Sequence, residues 1–161
     1  MKRLLSKTVL FDIDYTLFNT DIFKQAQLKK HSVYSEVRNV LIQLSKIAKL
    51  GIFSEGDLNL QKTKLLKTDI HKYFSKEHIH IVPKKDEIIE KILQKYKNTT
   101  VFLVDDKLTI LHQAKTIRPS LFTIWVKRGK YAKNQKPLKG FVPDAIIESL
   151  NELIPVINSL N

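Results

Sequence analysis

The amino-acid sequence predicts an α/β fold of three layers: a mainly parallel sheet with helices on both faces. Short apolar runs alternate with segments whose apolar residues recur every three or four positions. That alternation of strands and helices favours parallel connections. One run, Val101-Phe102-Leu103-Val104, is apolar throughout, as expected of a central strand covered on both sides. The 161 residues leave room for one domain with a sizeable core and not for two. No internal repeat, low-complexity tract or linker divides residues 1–161, so a single domain is expected.

The elements follow in order. Val9-Leu10-Phe11 opens a first strand. Asn19 to Lys30 reads as a short polar helix. Val33, Val37, Val40, Leu41, Leu44, Ile47 and Ala48 mark an amphipathic helix running to Lys49, which Gly51 would end. Ile52-Phe53 begins a second strand, and Leu58, Leu65, Leu66, Ile70 and Phe74 suggest helical material beyond it. A third strand is expected at His78–Val82, then a helix carrying Ile88, Ile89, Ile92, Leu93 and Tyr96. After Val101–Val104, a helix bears Leu108, Leu111, Ala114 and Ile117, and Phe122–Val126 is another strand. A polar loop of Lys and Gly leads to a strand at Ala145–Ile147 and a last helix from Ser149.

Function is most legible where the first strand ends. Side chains at i and i+2 of a strand face the same way, so Asp12 and Asp14 emerge together. Two carboxylates sharing one exit repel each other, and a hard cation bound through oxygen, such as Mg²⁺, is the usual remedy. A second acidic pair, Asp105-Asp106, directly follows the apolar run at Val101–Val104 and would bring further oxygen ligands. Ligands of open parallel sheets bind at the carboxyl ends of the strands, where both acidic pairs fall.

Composition bounds the partners. The net charge of +12 would attract polyanions. Only Arg3, Arg38, Arg118 and Arg128 are arginines, however, so the excess comes from lysines spread along the chain. Nucleic-acid readers lean on arginine for bidentate contacts, which leaves a general compositional bias as the competing explanation. Trp125 and Tyr131 flank Lys127-Arg128-Gly129-Lys130 in a pattern suggestive of an aromatic and basic nucleic-acid contact, although Trp125 lies in an apolar run. His78 and His80 alternate as metal ligands on a strand can, but structural roles are the commoner outcome; His31, His71 and His112 lack convincing partners. There is no Cys, which excludes disulfides and thiolate metal sites. Lys7 and Asp12 interrupt the apolar start at Met1–Leu5 too early for a signal peptide, and no run is long enough to span a membrane. A cytoplasmic protein is the expectation.

Asp12-Ile13-Asp14-Tyr15-Thr16, between Phe11 and Leu17, resembles the D-x-D-x-T signature of the haloacid dehalogenase-like (HAD) hydrolase superfamily. Three further motifs follow in that superfamily's order. Gly51-Ile52-Phe53-Ser54-Glu55-Gly56 is similar to a strand ending in Ser or Thr, with a helix opening just after Ser54. Pro83-Lys84-Lys85-Asp86-Glu87-Ile88 holds the basic residue ahead of a helix, with Lys85 preferred over Lys84 by its spacing to Ile88 and Ile89. Val101–Asp106 resembles the fourth motif in its double-Asp form, with Asp106 preferred over Asp105.

The resemblance implies a Rossmann-like HAD domain and a Mg²⁺-dependent phosphatase acting through an aspartyl-phosphate. Asp12 would be the nucleophile, Asp14 the general acid and base, and Ser54 and Lys85 or Lys84 the groups steadying the phosphoryl group. Mg²⁺ would be held by Asp12, the Asp14 carbonyl, and Asp106 or Asp105. Only residues 17–32 are left for a cap, which implies an exposed site. A phosphorylated small molecule is the expected substrate. A nucleic-acid end-processing phosphatase and a HAD-like binding module without turnover are the alternatives.

Overall fold

The protein is described by a computed structural model covering residues 5–160. Met1–Leu4, which include most of the apolar start considered above and Arg3, lie outside the described residues. Six strands form one sheet: β1 (Lys7–Phe11), β2 (Lys49–Glu55), β3 (Ile79–Val82), β4 (Thr100–Asp105), β5 (Phe122–Val126) and β6 (Ala145–Ile147). Their order is β3-β2-β1-β4-β5-β6, and all five neighbouring pairs are parallel. The chain winds outward one way from β1 and the other way from β4. Such a reversal opens a crevice at the carboxyl ends of the two strands.

Among the described residues six α-helices lie between strands and a seventh follows β6: α1 (Thr20–Gln25), α2 (Val37–Leu44), α3 (Leu58–Lys67), α4 (Lys85–Gln94), α5 (Leu108–Ile117), α6 (Gly129–Asn134) and α7 (Leu153–Ser159). Alternate strand residues feed two cores. Val9, Phe11, Phe102 and Val104 pack with Val37, Val40, Leu41 and Leu44 of α2 and Ile157 of α7. On the other face, Leu10, Phe53 and Leu103 pack with Ile89 and Leu93 of α4 and Leu111 and Ala114 of α5. Apolar side chains on both faces explain why the strands read as continuous runs. No helix among the described residues is long and apolar enough to cross a membrane.

Several expected boundaries need correction. The amphipathic helix is shorter than Val33–Lys49, because Lys49 already pairs with Thr8 in the sheet. Gly51 therefore stops no helix; it lies inside β2, where a Cβ would stand 2.7 Å from Leu10 Cδ2 and 2.8 Å from the His78 carbonyl oxygen. The polar helix expected over Asn19–Lys30 is confined to α1. Asn19 caps it by accepting from the Ile22 amide, and left-handed Gln27 and Leu28 (φ 52° and 62°) end it. The loop after β5 is not all irregular, since it contains α6. Leu17 and Phe18, expected in the cap, are buried in the core, so the segment standing over the carboxyl ends begins at Asn19.

Candidate active site

Sheet topology brings the two acidic pairs together. The Asp12 amide donates to the Val104 carbonyl at 3.0 Å, which continues the β1–β4 register one step and sets Asp12 beside Asp105, the last residue of β4. Asp12, Asp105 and Asp106 are all buried and offer carboxylate oxygens that lie within 4.8 Å of one another. Lys85, the first residue of α4, reaches in from the β2–β3 side and is 1% exposed. Its Nζ donates to Asp12 Oδ1 at 2.7 Å and to Asp105 Oδ2 at 2.6 Å. Asp105 Oδ1 accepts from the Lys107 amide at 2.9 Å.

The charges do not balance, for three carboxylates share one ammonium. Burial, then the neighbouring Asp12 and Asp105, push the Asp106 carboxyl up to about 9. Burial raises Asp12 as well, to about 6, with Lys85 opposing and Asp105 adding to the rise. Lys85 is raised too, which favours its charged form: burial would lower it, but Asp105 and Asp12 outweigh burial and hold the ammonium. Oxygen-rich, anionic and compact, this donor set fits a hard divalent cation such as Mg²⁺. Two other features hold Asp106 in place through its backbone: the Trp125 indole donates to its carbonyl at 3.0 Å, and Gln135 donates to the same oxygen.

Asp14 lies two residues on, in a turn that Tyr15 makes possible with a left-handed φ of 59°. The Tyr15 amide donates to the Phe18 carbonyl and to Thr20 Oγ1, each at 3.1 Å. Gly129 lies against the Tyr15 ring so closely that a Cβ there would meet Tyr15 Cδ1 at 2.7 Å. Asp14 does not join the carboxylate cluster. Its Oδ1 accepts from Lys64 Nζ at 2.7 Å and from the Thr20 hydroxyl at 2.9 Å, and its Oδ2 from Gln61 Nε2 at 2.9 Å. Burial pulls its pKa upward, but the Lys64 ammonium and these three donors hold it below the usual carboxylate range.

The remaining expected residues divide. Ser54 is fully buried and accepts from Gln61 Nε2 at 3.0 Å; it is not among the side chains lining the cleft. Strand β2 continues to Glu55, and α3 opens only at Leu58 behind an Asp57 cap, so no helix begins directly after Ser54. It is Glu55 that faces the cleft, between Lys107 Nζ at 3.4 Å and the Lys85 amide at 2.9 Å. Lys84 stands away from the cluster, exposed and paired with Glu87. Of the two lysines, geometry brings only Lys85 to Asp12. Both Asp105 and Asp106 are present, the first bound to Lys85 and the second free of any cation partner among the described residues.

The basic and aromatic segment does not present its arginine to solvent. Arg128 is 9% exposed; it pairs with Glu36 at 2.6 Å, donates to the Thr16 carbonyl at 2.9 Å and stacks on Tyr34. Trp125 is buried. His78 and His80 form no metal pair, as both contact the Tyr96 hydroxyl, at 3.1 and 2.6 Å.

A cleft of about 510 Å³ opens above Asp12, Asp14 and Asp106. Its walls include Thr20, Phe23, Lys24 and Leu28 from the segment after Asn19, Leu60 and Lys64 from α3, and Lys107 and Tyr131. Lys64 and Gln61 escaped the sequence reading, which followed the leucines of α3. In the structure Leu58, Leu60 and Leu66 are exposed, whereas Gln61, Lys64, Leu65 and Thr68 are buried. That buried set has the i, i+3, i+4, i+7 spacing of one helical face, and three of its four members are polar.

Comparison with solved structures identifies the architecture. A Burkholderia xenovorans LB400 protein classed as a haloacid dehalogenase-like hydrolase matches with a TM-score of 0.79 at 18% identity, over 97% of this chain and 98% of that one. YfnB of Bacillus subtilis, classed as a HAD hydrolase and solved with magnesium bound, matches at 0.75 and 14% identity, over 96% and 99%. A Haemophilus somnus protein designated a phosphoglycolate phosphatase matches at 0.70 and 13%, over 94% and 98%. Dehalogenases are similar as well. No protein-family model and no curated protein matches the sequence. The chain has the haloacid dehalogenase-like fold.

Proposed function

We propose that this protein is a Mg²⁺-dependent phosphatase that hydrolyses phosphate monoesters through an aspartyl-phosphate. The observation that carries the reading is the pairing of Asp12, among the carboxylates at the end of β4, with Asp14, held separately over the same cleft. A dehalogenase releases a halide, which needs no proton; an alkoxide leaving group does. Asp14 gives the site a group for that second task.

In the first step an Asp12 oxygen attacks phosphorus, the ester P–O bond breaks, and the departing alkoxide takes a proton from Asp14, which is ionised in the free protein and takes up that proton from the monoanionic ester as it binds. In the second, Asp14 takes a proton from water as that water attacks the aspartyl-phosphate, releasing phosphate and freeing Asp12. Lys85 orients Asp12 and sets positive charge beside the transferring group. Mg²⁺, held by Asp12, Asp106 and Asp105 with the Asp14 carbonyl, would neutralise phosphoryl charge and favour in-line attack. Residues 19–32 act as a minimal cap that leaves the cleft open to a phosphorylated small molecule, in the cytoplasmic setting expected from the sequence.

The decisive comparison is wild type against Asp12→Asn with p-nitrophenyl phosphate and Mg²⁺. A loss of at least about 10³-fold in kcat is expected; equal turnover by the two proteins removes the nucleophile. Metal binding with no phosphate released from a broad panel of esters would instead favour a binding module.

The open cleft and its exposed Lys24 give some support to a second substrate, a phosphorylated nucleic-acid end. Burial of Arg128 counts against it. Hydrolysis of a 3′-phosphorylated oligonucleotide that falls steeply with salt, beside a salt-insensitive nucleoside monophosphate, would favour that reading.

A further inference from the structure

We propose that Lys64 is a positioning residue: from α3 it fixes the Asp14 carboxylate over the cleft and keeps it out of the Asp12, Asp105 and Asp106 cluster. The inference rests on the phosphatase reading for its kinetic consequence and on geometry alone for its structural one.

A lysine on a surface helix ordinarily extends its ammonium into water, as the neighbouring exposed Lys62 and Lys67 do. Lys64 is 4% exposed. Burying an ammonium is costly unless it is paired, and the acidic partner of Lys64 among the described residues is Asp14. Its Nζ also lies 5.1 and 5.4 Å from the ring centres of Phe18 and Phe23, so the position of the ammonium is defined by aromatic faces as well as by charge.

The arrangement has a counterpart in Lys85. Two carboxylates two residues apart leave one strand end, and each receives a buried ammonium from a different helix: Asp12 from α4 and Asp14 from α3. A carboxylate in the Asp14 turn that lacked its own cation would be drawn toward Lys85 and any divalent ion beside it. Lys64 removes that competition. Gln61, one turn earlier on the same face of α3, donates to Asp14 and to Ser54 together, and Thr20 supplies the third donor. The carboxylate is thus held from two sides, by α3 and by the first residue of α1. A proton donor must lie within hydrogen-bond reach of the leaving oxygen, and small displacements of such groups are expensive in rate.

The test uses Lys64→Gln and Lys64→Arg with two esters, glycerol 2-phosphate and p-nitrophenyl phosphate. The alkyl leaving group needs a proton far more than nitrophenolate does. Lys64→Gln should lower kcat on the alkyl ester by about tenfold more than on the aryl ester, with little change in KM, and Lys64→Arg should restore most of the difference. Equal losses on both esters would mean a merely structural lysine, and a raised KM with kcat kept would mean a direct substrate ligand; either overturns the proposal. If Lys64→Gln does not fold, Gln61→Leu removes the other donor from α3 and should give the same alkyl-biased loss. If the wild type hydrolyses neither ester, the phosphatase reading fails by itself. A crystal structure of Lys64→Gln then decides the geometry: an Asp14 carboxylate displaced from its Thr20 and Gln61 partners supports the proposal, and one that keeps its place overturns it.

Discussion

The carboxylates of the Asp12–Asp14 loop stand in contrasting surroundings. Asp12 shares a buried site at the floor of the cleft with Asp105 and Asp106, where Lys85 is the single ammonium within hydrogen-bond reach among the described residues. Asp14 has Lys64 to itself, two neutral donors besides, and a side chain 30% exposed. One station carries excess negative charge and the other is neutral. Only the first, therefore, calls for an added cation. The contrast also shows how one short loop supplies two carboxylates of opposite character, since burial among like charges raises one and an opposed ammonium lowers the other.

The largest expected effect comes from removing each ammonium in turn. Lys85→Met leaves two fully buried carboxylates uncompensated and should destabilise the protein by about 3–5 kcal/mol. The same change at Lys64 should cost about 1–3 kcal/mol, because water reaches Asp14. Urea unfolding of the two variants compares them directly, and equal losses would erase the distinction between the stations.

Next in size is the response to metal. At a Mg²⁺ concentration of roughly 100 times Kd, the wild type should gain about 2.7 kcal/mol, seen as a rise in Tm. Asp106→Asn should abolish most of that rise. Lys64→Gln should keep or enlarge it, since Lys64 makes no contact with the cluster and an Asp14 without its ammonium would be drawn toward the ion. A shift lost equally in both variants would show that the two stations are not separate.

The two stations also differ in the sign of their pH dependence in chelator. Asp106 and Asp12 are raised from 3.8 to about 9 and about 6, so between pH 4 and 9 the folded state retains protons that the unfolded state releases. Stability of the metal-free protein should therefore fall as pH rises through that window. Asp14, lowered from 3.8, has the opposite sign and contributes stability that disappears only as pH falls below the ordinary carboxylate range. Urea midpoints at pH 5, 7 and 9 should decline in wild type with chelator and flatten in Asp106→Asn.

Much of the fold was legible because buried parallel strands announce themselves as apolar runs. Phe122–Val126 and Ala145–Ile147 appear with the expected bounds, and the four motifs all lie at strand or helix ends. Gly51 misled the reading, since close packing against Leu10 and the His78 backbone can require glycine as firmly as a helix terminus does. Motif order singled out Asp12, Lys85 and the Asp105-Asp106 pair, side chains that the structure brings close together. The partners of Asp14 were not singled out, because Lys64 and Gln61 lie fifty and forty-seven residues away on a helix whose leucines point outward. The available signal was the polar face itself, Gln61, Lys64 and Thr68 at helical spacing around Leu65. The burial of Arg128 was hidden for a related reason: its carboxylate partner, Glu36, is ninety-two residues distant.

Arg128 has a consequence for how the molecule comes apart. One guanidinium ties the carbonyl of Thr16 to Glu36 at the start of α2, and Glu36 in turn accepts from the Leu150 amide near the C-terminal helix. The Asp12–Asp14 turn is thereby fastened to distant parts of the chain through a shared knot. Loosening this knot disturbs all three segments at once, which ties the turn beneath the cleft to the start of α2 and to the segment before α7.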